Sequence, residues 1–89
     1  MEFEFDPEKS GINRVKYGID FVEAQALWLD DQRVIHIARF ADEFRKGIIA
    51  RIGLICWTAI YTYRKDKIRI ISVRRSRHEE KEQYFSEGV

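Results

Sequence analysis

The sequence predicts a single α+β domain in which helices near both ends of the chain pack on a mainly antiparallel β-sheet. Two observations support this prediction: helix-start signals at Asp6, Asp20 and Ser76, and alternating apolar and polar segments between residues 33 and 74. The 89 residues suffice for one domain with one modest core, and they contain no repeat, low-complexity tract or linker. We therefore treat residues 1–89 as one domain.

The N-terminal segment predicts a short strand followed by a helix. Acidic residues alternate with phenylalanine from Glu2 to Phe5, which is the period of a strand with one buried face. Asp6 can cap the free amides of a helix, and Pro7 fits the first helical position. The predicted helix ends near Tyr17, because Gly18 readily takes the left-handed conformation that ends many helices.

Two further helices are predicted from capping-box spacings, in which a capping residue precedes a glutamate by three positions. The segment Asp20–Glu23 opens the first of them, which continues through Trp28 and ends at residues 30–31. The segment Ser76–Glu79 opens the last helix, which is expected to cover residues 77–85.

The strands between these helices are predicted from apolar alternation and from the turn residues that separate them. Gly53 marks one tight turn and residues 65–67 mark another, whereas residues 41–47 are polar and predict a loop or irregular link. The predicted strands are residues 33–40, 48–52, 54–64 and 68–74.

The nearly neutral net charge of +1 conceals a strong asymmetry along the chain. Residues 1–31 contain three basic and eight acidic residues, a balance of −5, whereas residues 32–78 contain twelve basic and three acidic residues, a balance of +9. If the basic residues share a face, they attract polyanions.

We expect a cytoplasmic protein, since no apolar run is long enough to span a membrane and the N-terminus lacks the pattern of a signal peptide.

The few cysteine and histidine residues give no indication of a disulfide or a metal site. Cys56 is the only cysteine, which excludes an intramolecular disulfide, and its apolar neighbours predict a core thiol. His36 and His78 are the only histidines and lie far apart in the sequence. We therefore expect neither a metal site nor a cofactor.

The last predicted strand ends in two arginines, Arg74 and Arg75, and Arg77 follows shortly after them. Guanidinium groups are permanently charged, forked donors that suit phosphate oxygens. Strand alternation places Arg74 and Arg75 on opposite faces, unless a bulge or the bend into the helix intervenes. This region is the first candidate functional site; the alternative is a solvated strand end without a ligand.

Two strings of residues resemble those of a known protein family. They are Arg-Ile-Ile-Ser-Val-Arg-Arg at residues 69–75, the more specific of the two, and Lys-Tyr-Gly-Ile-Asp-Phe at residues 16–21. The supporting residues are Phe3–Asp6, Lys9, Asn13, Glu23, Ala24, Glu43, Arg45, Tyr61, Thr62, Ile68, Glu79 and Tyr84. On these residues, the chain resembles the BrnT family of bacterial type II toxins over nearly its whole length.

The resemblance implies a RelE-like fold and a metal-independent endoribonuclease that inhibits translation. It also implies that the RNA supplies its own nucleophile, the 2′-hydroxyl group beside the scissile phosphate. The protein then has to position the RNA, compensate the charge of the transition state and assist proton transfer.

Four residues are the predicted catalytic set. Arg45, Arg74 and Arg75 would bind and stabilise the phosphate, and Glu43 would assist proton transfer or orient an arginine. The family usually has a histidine where Tyr17 stands. We leave Tyr17 out of the catalytic set, because a phenol cannot replace a neutral imidazole base.

Four other residues are predicted RNA contacts, each with a structural alternative. Tyr61 and Tyr63 share one strand parity and could stack on bases, although such aromatics also serve as core or half-buried sheet residues. Arg51 could bind phosphate or be an exposed strand or turn residue. His78, in the first turn of the last helix, could contact RNA or face solvent.

The resemblance further implies two partners, an RNA substrate and a cognate BrnA-like antitoxin of ribbon-helix-helix type. The antitoxin would neutralise the toxin and repress their shared operon, so contact with DNA would be indirect. No membrane partner is expected. The alternative function is a non-catalytic RNA-binding or regulatory module on the same fold, which the tyrosine at position 17 favours.

Overall fold

The computed structural model describes residues 1–40 and 44–87, with residues 39, 40 and 87 described by their backbone alone. Both helices and strands are present, which confirms the predicted α+β class. The elements are β1 Phe3–Glu4, α1 Pro7–Tyr17, a 3₁₀ helix Glu23–Leu29, β2 Val34–Phe40, β3 Phe44–Ile52, β4 Ile55–Arg64, β5 Lys67–Arg75 and α2 His78–Glu87.

The strands form one five-stranded mixed sheet in the order β1-β5-β4-β3-β2. The three hairpin pairs, from β2 to β5, are antiparallel, as predicted. β1 instead runs parallel to β5, with Phe3 opposite Ile68, so the sheet is not purely antiparallel. Parallel pairing is possible here because a long segment, residues 5–66, separates the two strands, whereas a short hairpin forces antiparallel pairing.

One predicted loop is wrong in the part that the structure describes. Residues 44–47 belong to β3, and Lys46 pairs with Tyr61 on one side and Ile37 on the other. Pairing with strands on both sides provides hydrogen-bond partners for the backbone of this polar segment. These long-range contacts outweigh the loop preference that its composition indicates. The rest of the predicted loop, residues 41–43, lies outside the described residues.

Two of the three predicted helix starts are confirmed by their hydrogen bonds. Asp6 Oδ1 accepts from the amide of Glu8 at 2.9 Å, and Gly18 ends α1 with a left-handed φ of 82°. The Asp20–Glu23 capping box is reciprocal, with distances of 2.7 and 3.0 Å. It opens a 3₁₀ helix rather than the α-helix expected from the sequence.

The third capping box is wrong in its residues. The Ser76 hydroxyl pairs with the Thr58 hydroxyl at 2.8 Å instead of capping the helix. The carboxylate that reaches back to the start of α2 belongs to Glu80, not Glu79, and accepts from the amide of Arg77 at 2.7 Å. The helix nevertheless starts close to the predicted position, at His78.

The main core lies between one face of the sheet and the 3₁₀ helix, and α2 covers part of the other face. Cys56 is buried beside Tyr84 of α2, which confirms the predicted core thiol. None of the helices in the described ranges is long and apolar enough to cross a membrane. The largest fully buried side chains are Tyr61, Phe21, Leu27, Ile48, Ile49, Val73 and Thr58.

A bulge in β5 changes the predicted alternation of the last strand. The pairing with β4 skips Ile71, since Ser72 and Ile70 face consecutive residues of the partner strand. Ile70 and Val73 therefore both reach the core, although strict alternation places them on opposite faces. The two arginines that end the strand lie beyond the bulge.

Candidate functional site

Arg74 at the end of β5 forms a bidentate ion pair with Glu80 in the first turn of α2. Arg74 Nη1 donates to Glu80 Oε1 at 2.8 Å, and Nη2 donates to Oε2 at 2.9 Å. The side chains are 27% and 17% exposed, so the pair is partly shielded from water. The two-pronged geometry fixes the plane of the guanidinium group.

The electrostatics of this pair keep both partners charged. Burial alone raises the pKa of Glu80, but hydrogen bonds from the Arg74 side chain and the Arg77 amide, with the Arg74 charge, lower this pKa to about 2. The hydrogen bonds with Glu80 raise the pKa of Arg74 in turn. A carboxylate with so low a pKa is a poor base near neutrality, so Glu80 positions Arg74 rather than transferring protons.

Arg75 lies on the opposite face of β5 and is exposed to solvent. Its guanidinium carbon is 5.7 Å from the centre of the Trp57 ring, and Trp57 is its cross-strand partner. A cation over an indole face is held by the ring quadrupole without losing its charge. Among the described carboxylates, none forms a salt bridge with Arg75, so this guanidinium group can accept an anionic ligand.

Asp30 links α2, the helix that carries Glu80, to the rest of the fold. Asp30 Oδ2 accepts from the Tyr84 hydroxyl at 2.6 Å and from the Arg51 amide at 2.8 Å. Burial alone raises the pKa of Asp30, but these hydrogen bonds outweigh it and lower the pKa. Burial and the hydrogen bond to Asp30 raise the pKa of Tyr84 to about 12. Arg51 thus supports the site through its backbone, while its side chain is exposed.

Arg45 lies at the opposite end of the sheet from Arg74 and Arg75. The row that contains Lys46 and Tyr61 is four residues from the row of Trp57 and Arg75 along β4. This separation is about 13 Å at the usual rise of a strand, and Arg45 lies one residue further away. Arg45 and Arg75 therefore cannot bind the same phosphate group. Glu43 lies outside the described residues.

The two predicted stacking tyrosines differ in exposure. Tyr61 is completely buried, with its ring edge-on to Trp28 at 5.1 Å, and burial raises the pKa of its hydroxyl to about 12. A base cannot reach this ring without opening the core, so the structure places Tyr61 among the core aromatics. Tyr63 is 58% exposed, and Lys46 Nζ lies 5.4 Å from the centre of its ring. Tyr63 is therefore able to stack on a base.

His78 is exposed at the start of α2, beside the Arg74–Glu80 pair in the chain. Its Nε2 lies 2.8 Å from Glu82 Oε1, one helical turn later. The contact keeps the imidazole along the outer surface of the helix. Its predicted role in binding RNA stays a prediction.

Glu80 and Tyr17 both act on Arg74, and neither belongs to the catalytic set predicted from the sequence. The capping-box spacing from Ser76 indicates Glu79, whereas the same spacing counted from Arg77 identifies Glu80. Tyr17, at the end of α1, interacts electrostatically with Arg74. Tyr17 is therefore close enough to Arg74 to act on its charge.

The arrangement at the β5–α2 junction suits phosphate chemistry. One guanidinium group is fixed by a carboxylate, and a second is exposed next to it in the chain. Such donors can bind a phosphate and compensate charge that develops on it. The part of the chain that the structure describes contains no cluster of three histidine, cysteine or acidic residues that could hold a metal ion.

Comparison with known proteins identifies the family. No curated protein matches the chain significantly. The family model described as the ribonuclease toxin BrnT of type II toxin-antitoxin systems matches residues 5–80. The matched range includes both arginines that end β5, their partner Glu80, and Arg45. The chain therefore belongs to the BrnT family of ribonuclease toxins of type II toxin-antitoxin systems.

Proposed function

We propose that this protein is an endoribonuclease that cleaves RNA at the β5–α2 junction without a metal ion and thereby inhibits translation. The observation that best supports this site is the Arg74 guanidinium, held in place by Glu80, with the exposed Arg75 next in the chain on the other face of the strand end. Preorganised donors stabilise a transition state more than mobile ones, because they need no reorganisation during the reaction. We also propose that the α+β arrangement is RelE-like, as the family resemblance implies.

In the proposed reaction, the 2′-hydroxyl oxygen of the RNA attacks the adjacent phosphorus and the 5′-oxygen of the next nucleotide leaves. The products are a 2′,3′-cyclic phosphate and a 5′-hydroxyl group. Arg75 donates hydrogen bonds to the non-bridging phosphate oxygens, where negative charge accumulates. Arg74 helps to position the RNA backbone at the site. The proton from the 2′-hydroxyl passes to solvent water, and the leaving oxygen takes a proton from solvent.

We expect the purified protein to cleave single-stranded RNA equally well in excess EDTA and in magnesium, because arginine donors replace the charge that a metal would supply. The measurement is a gel assay of a labelled RNA, with the end groups of the products identified by mass spectrometry. A matched reaction with the Arg74→Ala, Arg75→Ala double variant controls for contaminating ribonucleases.

Three outcomes of this assay decide between the functions. Cleavage in EDTA with cyclic phosphate ends supports the proposal. Cleavage that is abolished by EDTA and restored by magnesium overturns the metal-free mechanism. RNA binding without cleavage supports the alternative, a non-catalytic RNA-binding or regulatory module.

The proposed partner is a cognate antitoxin of ribbon-helix-helix type that acts with the toxin in the cytoplasm. A surface that supports partner binding lies on β2, an edge strand of the sheet, and on its neighbours. Ile35 and Ile37 of β2 are 46% and 58% exposed, and Phe44 and Tyr63 flank Lys46 nearby. Exposed apolar patches and open strand edges are common protein-binding surfaces.

We expect Ile37→Asp to weaken the complex with the antitoxin at least about tenfold, because the carboxylate would be buried without a partner. RNA cleavage by the free toxin should not change. The dissociation constant is measured by calorimetry with the product of the adjacent gene. Val15→Asp on α1 is the matched control, since Val15 is 89% exposed on another surface. Wild-type affinity of the Ile37 variant would exclude this patch as the contact surface.

A further inference from the structure

A cleft of about 320 Å³ opens at the end of the sheet, between the β3–β4 turn, the last residue of β5 and helix α2. Arg75 and Lys81 give it positive charge, while Leu54 and Phe85 give it apolar surface. No carboxylate is present among the described residues that line it. The cleft thus combines two cations with an apolar wall, next to the proposed cleavage site.

The apolar wall is unusually open to solvent. Leu54 is 94% exposed at the tip of the turn, and Phe85 is 53% exposed on α2. The Phe85 ring is held edge-on to Tyr84 at 5.1 Å, and Tyr84 is itself anchored to Asp30. Phe85 is therefore an exposed aromatic ring that packs on an anchored neighbour.

Cys56 also lines the cleft and responds to the positive charge around it. Burial raises the pKa of its thiol, whereas the charges of Arg51 and Lys81 oppose this shift. Both cations are therefore close enough to Cys56 to act on its charge. An anionic group placed in the cleft would meet Lys81 and Arg75 together, with Arg51 nearby.

We propose that this cleft binds one nucleotide of the RNA, next to the scissile phosphate, with its base against Phe85 and Leu54 and its phosphate between Arg75 and Lys81. The inference rests on the proposed ribonuclease function and makes this cleft the place where a base preference would arise. A nucleotide joins a flat, largely apolar base to an anion, which matches the two halves of the cleft. The volume is at the lower end for ligand pockets, so it suits one nucleotide better than a folded protein segment.

The test uses a 2′-O-methylated RNA dinucleotide, which cannot be cleaved because the attacking hydroxyl is blocked. Binding to the full chain is followed by amide chemical shifts in nuclear magnetic resonance, with inorganic phosphate as a second probe. We expect the dinucleotide to shift the amides of residues 54–56, 75–81 and 85. Shifts that occur elsewhere and leave these residues unchanged would overturn the proposal.

Substitutions separate the two halves of the cleft. Phe85→Ala should weaken dinucleotide binding about tenfold by removing base stacking, without changing the affinity for phosphate. Lys81→Ala should weaken the binding of both probes, and Lys81→Arg should restore it. Val15→Ala, an exposed apolar truncation on α1, should change neither. Wild-type dinucleotide affinity in the Phe85 variant, with an unchanged thermal melt, would overturn base binding here.

The same experiment distinguishes failure of this subsite from failure of the proposed activity. If the dinucleotide binds in the cleft but the protein does not cleave RNA, the subsite stands and the ribonuclease proposal fails. If the protein cleaves RNA but the dinucleotide leaves the cleft unchanged, only the subsite fails. Shifts of these amides by the antitoxin but not by the dinucleotide would identify a protein segment as the occupant and overturn the proposal.

Discussion

Arg75→Ala should lower the rate of RNA cleavage by about two to three orders of magnitude and leave the thermal melt nearly unchanged. Arg75 is exposed and held over Trp57, so its loss removes a charged donor to the phosphate without opening the core. Removal of one such donor costs roughly 2–4 kcal/mol of transition-state stabilisation. The measurement is single-turnover cleavage of a labelled RNA, together with thermal unfolding followed by circular dichroism.

Arg45→Ala provides a comparison at the other end of the sheet. Since Arg45 cannot reach the phosphate that Arg75 binds, its loss should weaken the binding of RNA and change the rate at saturating RNA much less. A larger effect of Arg45→Ala than of Arg75→Ala on the saturated rate would move the cleavage site to the β2–β3 end. Wild-type cleavage by an Arg45, Arg74 and Arg75 triple alanine variant would refute the whole arginine assignment.

Loss of activity through unfolding has a different signature, which a core variant displays. Leu27 is completely buried in the 3₁₀ helix, and Leu27→Ala should cost about 2–5 kcal/mol of folding free energy. This variant should lose cleavage and thermal stability together. Arg75→Ala should lose cleavage alone, so the two measurements separate a catalytic role from a structural one.

The features that the sequence predicted well depend on neighbouring residues. The Asp6 cap, the Gly18 end of α1 and the Asp20–Glu23 box involve partners within four residues, and all three appear in the structure. The turn at Gly53 is similarly local, with a left-handed φ of 62° that glycine adopts without strain. In each case, the residue type itself determines the local backbone.

The features that the sequence did not predict depend on distant parts of the chain. Tyr61 has the same strand parity as the exposed Tyr63, but Tyr61 is covered by a distant part of the chain that includes Trp28 of the 3₁₀ helix. The distance between Arg45 and Arg75 depends on the register of three strands, which no local pattern specifies. The Arg74–Glu80 pair requires α2 to pack beside β5, and the contact between Tyr84 of α2 and the distant Asp30 helps to hold the helix there.

Glu80→Gln should lower the free energy of unfolding at neutral pH by about 1–3 kcal/mol. It should also make this free energy depend less on pH in the acidic range. The pKa of Glu80 is about 2 in the folded protein, below the ordinary 4.5 of the unfolded chain. The ionised carboxylate therefore stabilises the fold above about pH 4.5, and this contribution is lost as the pH falls toward 2. The full shift corresponds to about 3 kcal/mol, which partial exposure of the pair reduces by screening.

Urea unfolding at pH 7, 5 and 3 measures this effect, and Glu79→Gln is its matched control. Glu79 is the exposed neighbour that the capping-box spacing from Ser76 indicates, whereas the structure assigns this role to Glu80. Comparison of the two variants therefore shows which glutamate stabilises the start of α2. We expect Glu79→Gln to resemble the wild type at every pH, because no pairing with Arg74 depends on it. Glu80→Gln should also slow RNA cleavage at pH 7, since an amide cannot hold the Arg74 guanidinium by charge. If Glu79→Gln were the more destabilising change, the Ser76 box would cap α2, and Arg74 would have no fixed partner around which to build the site.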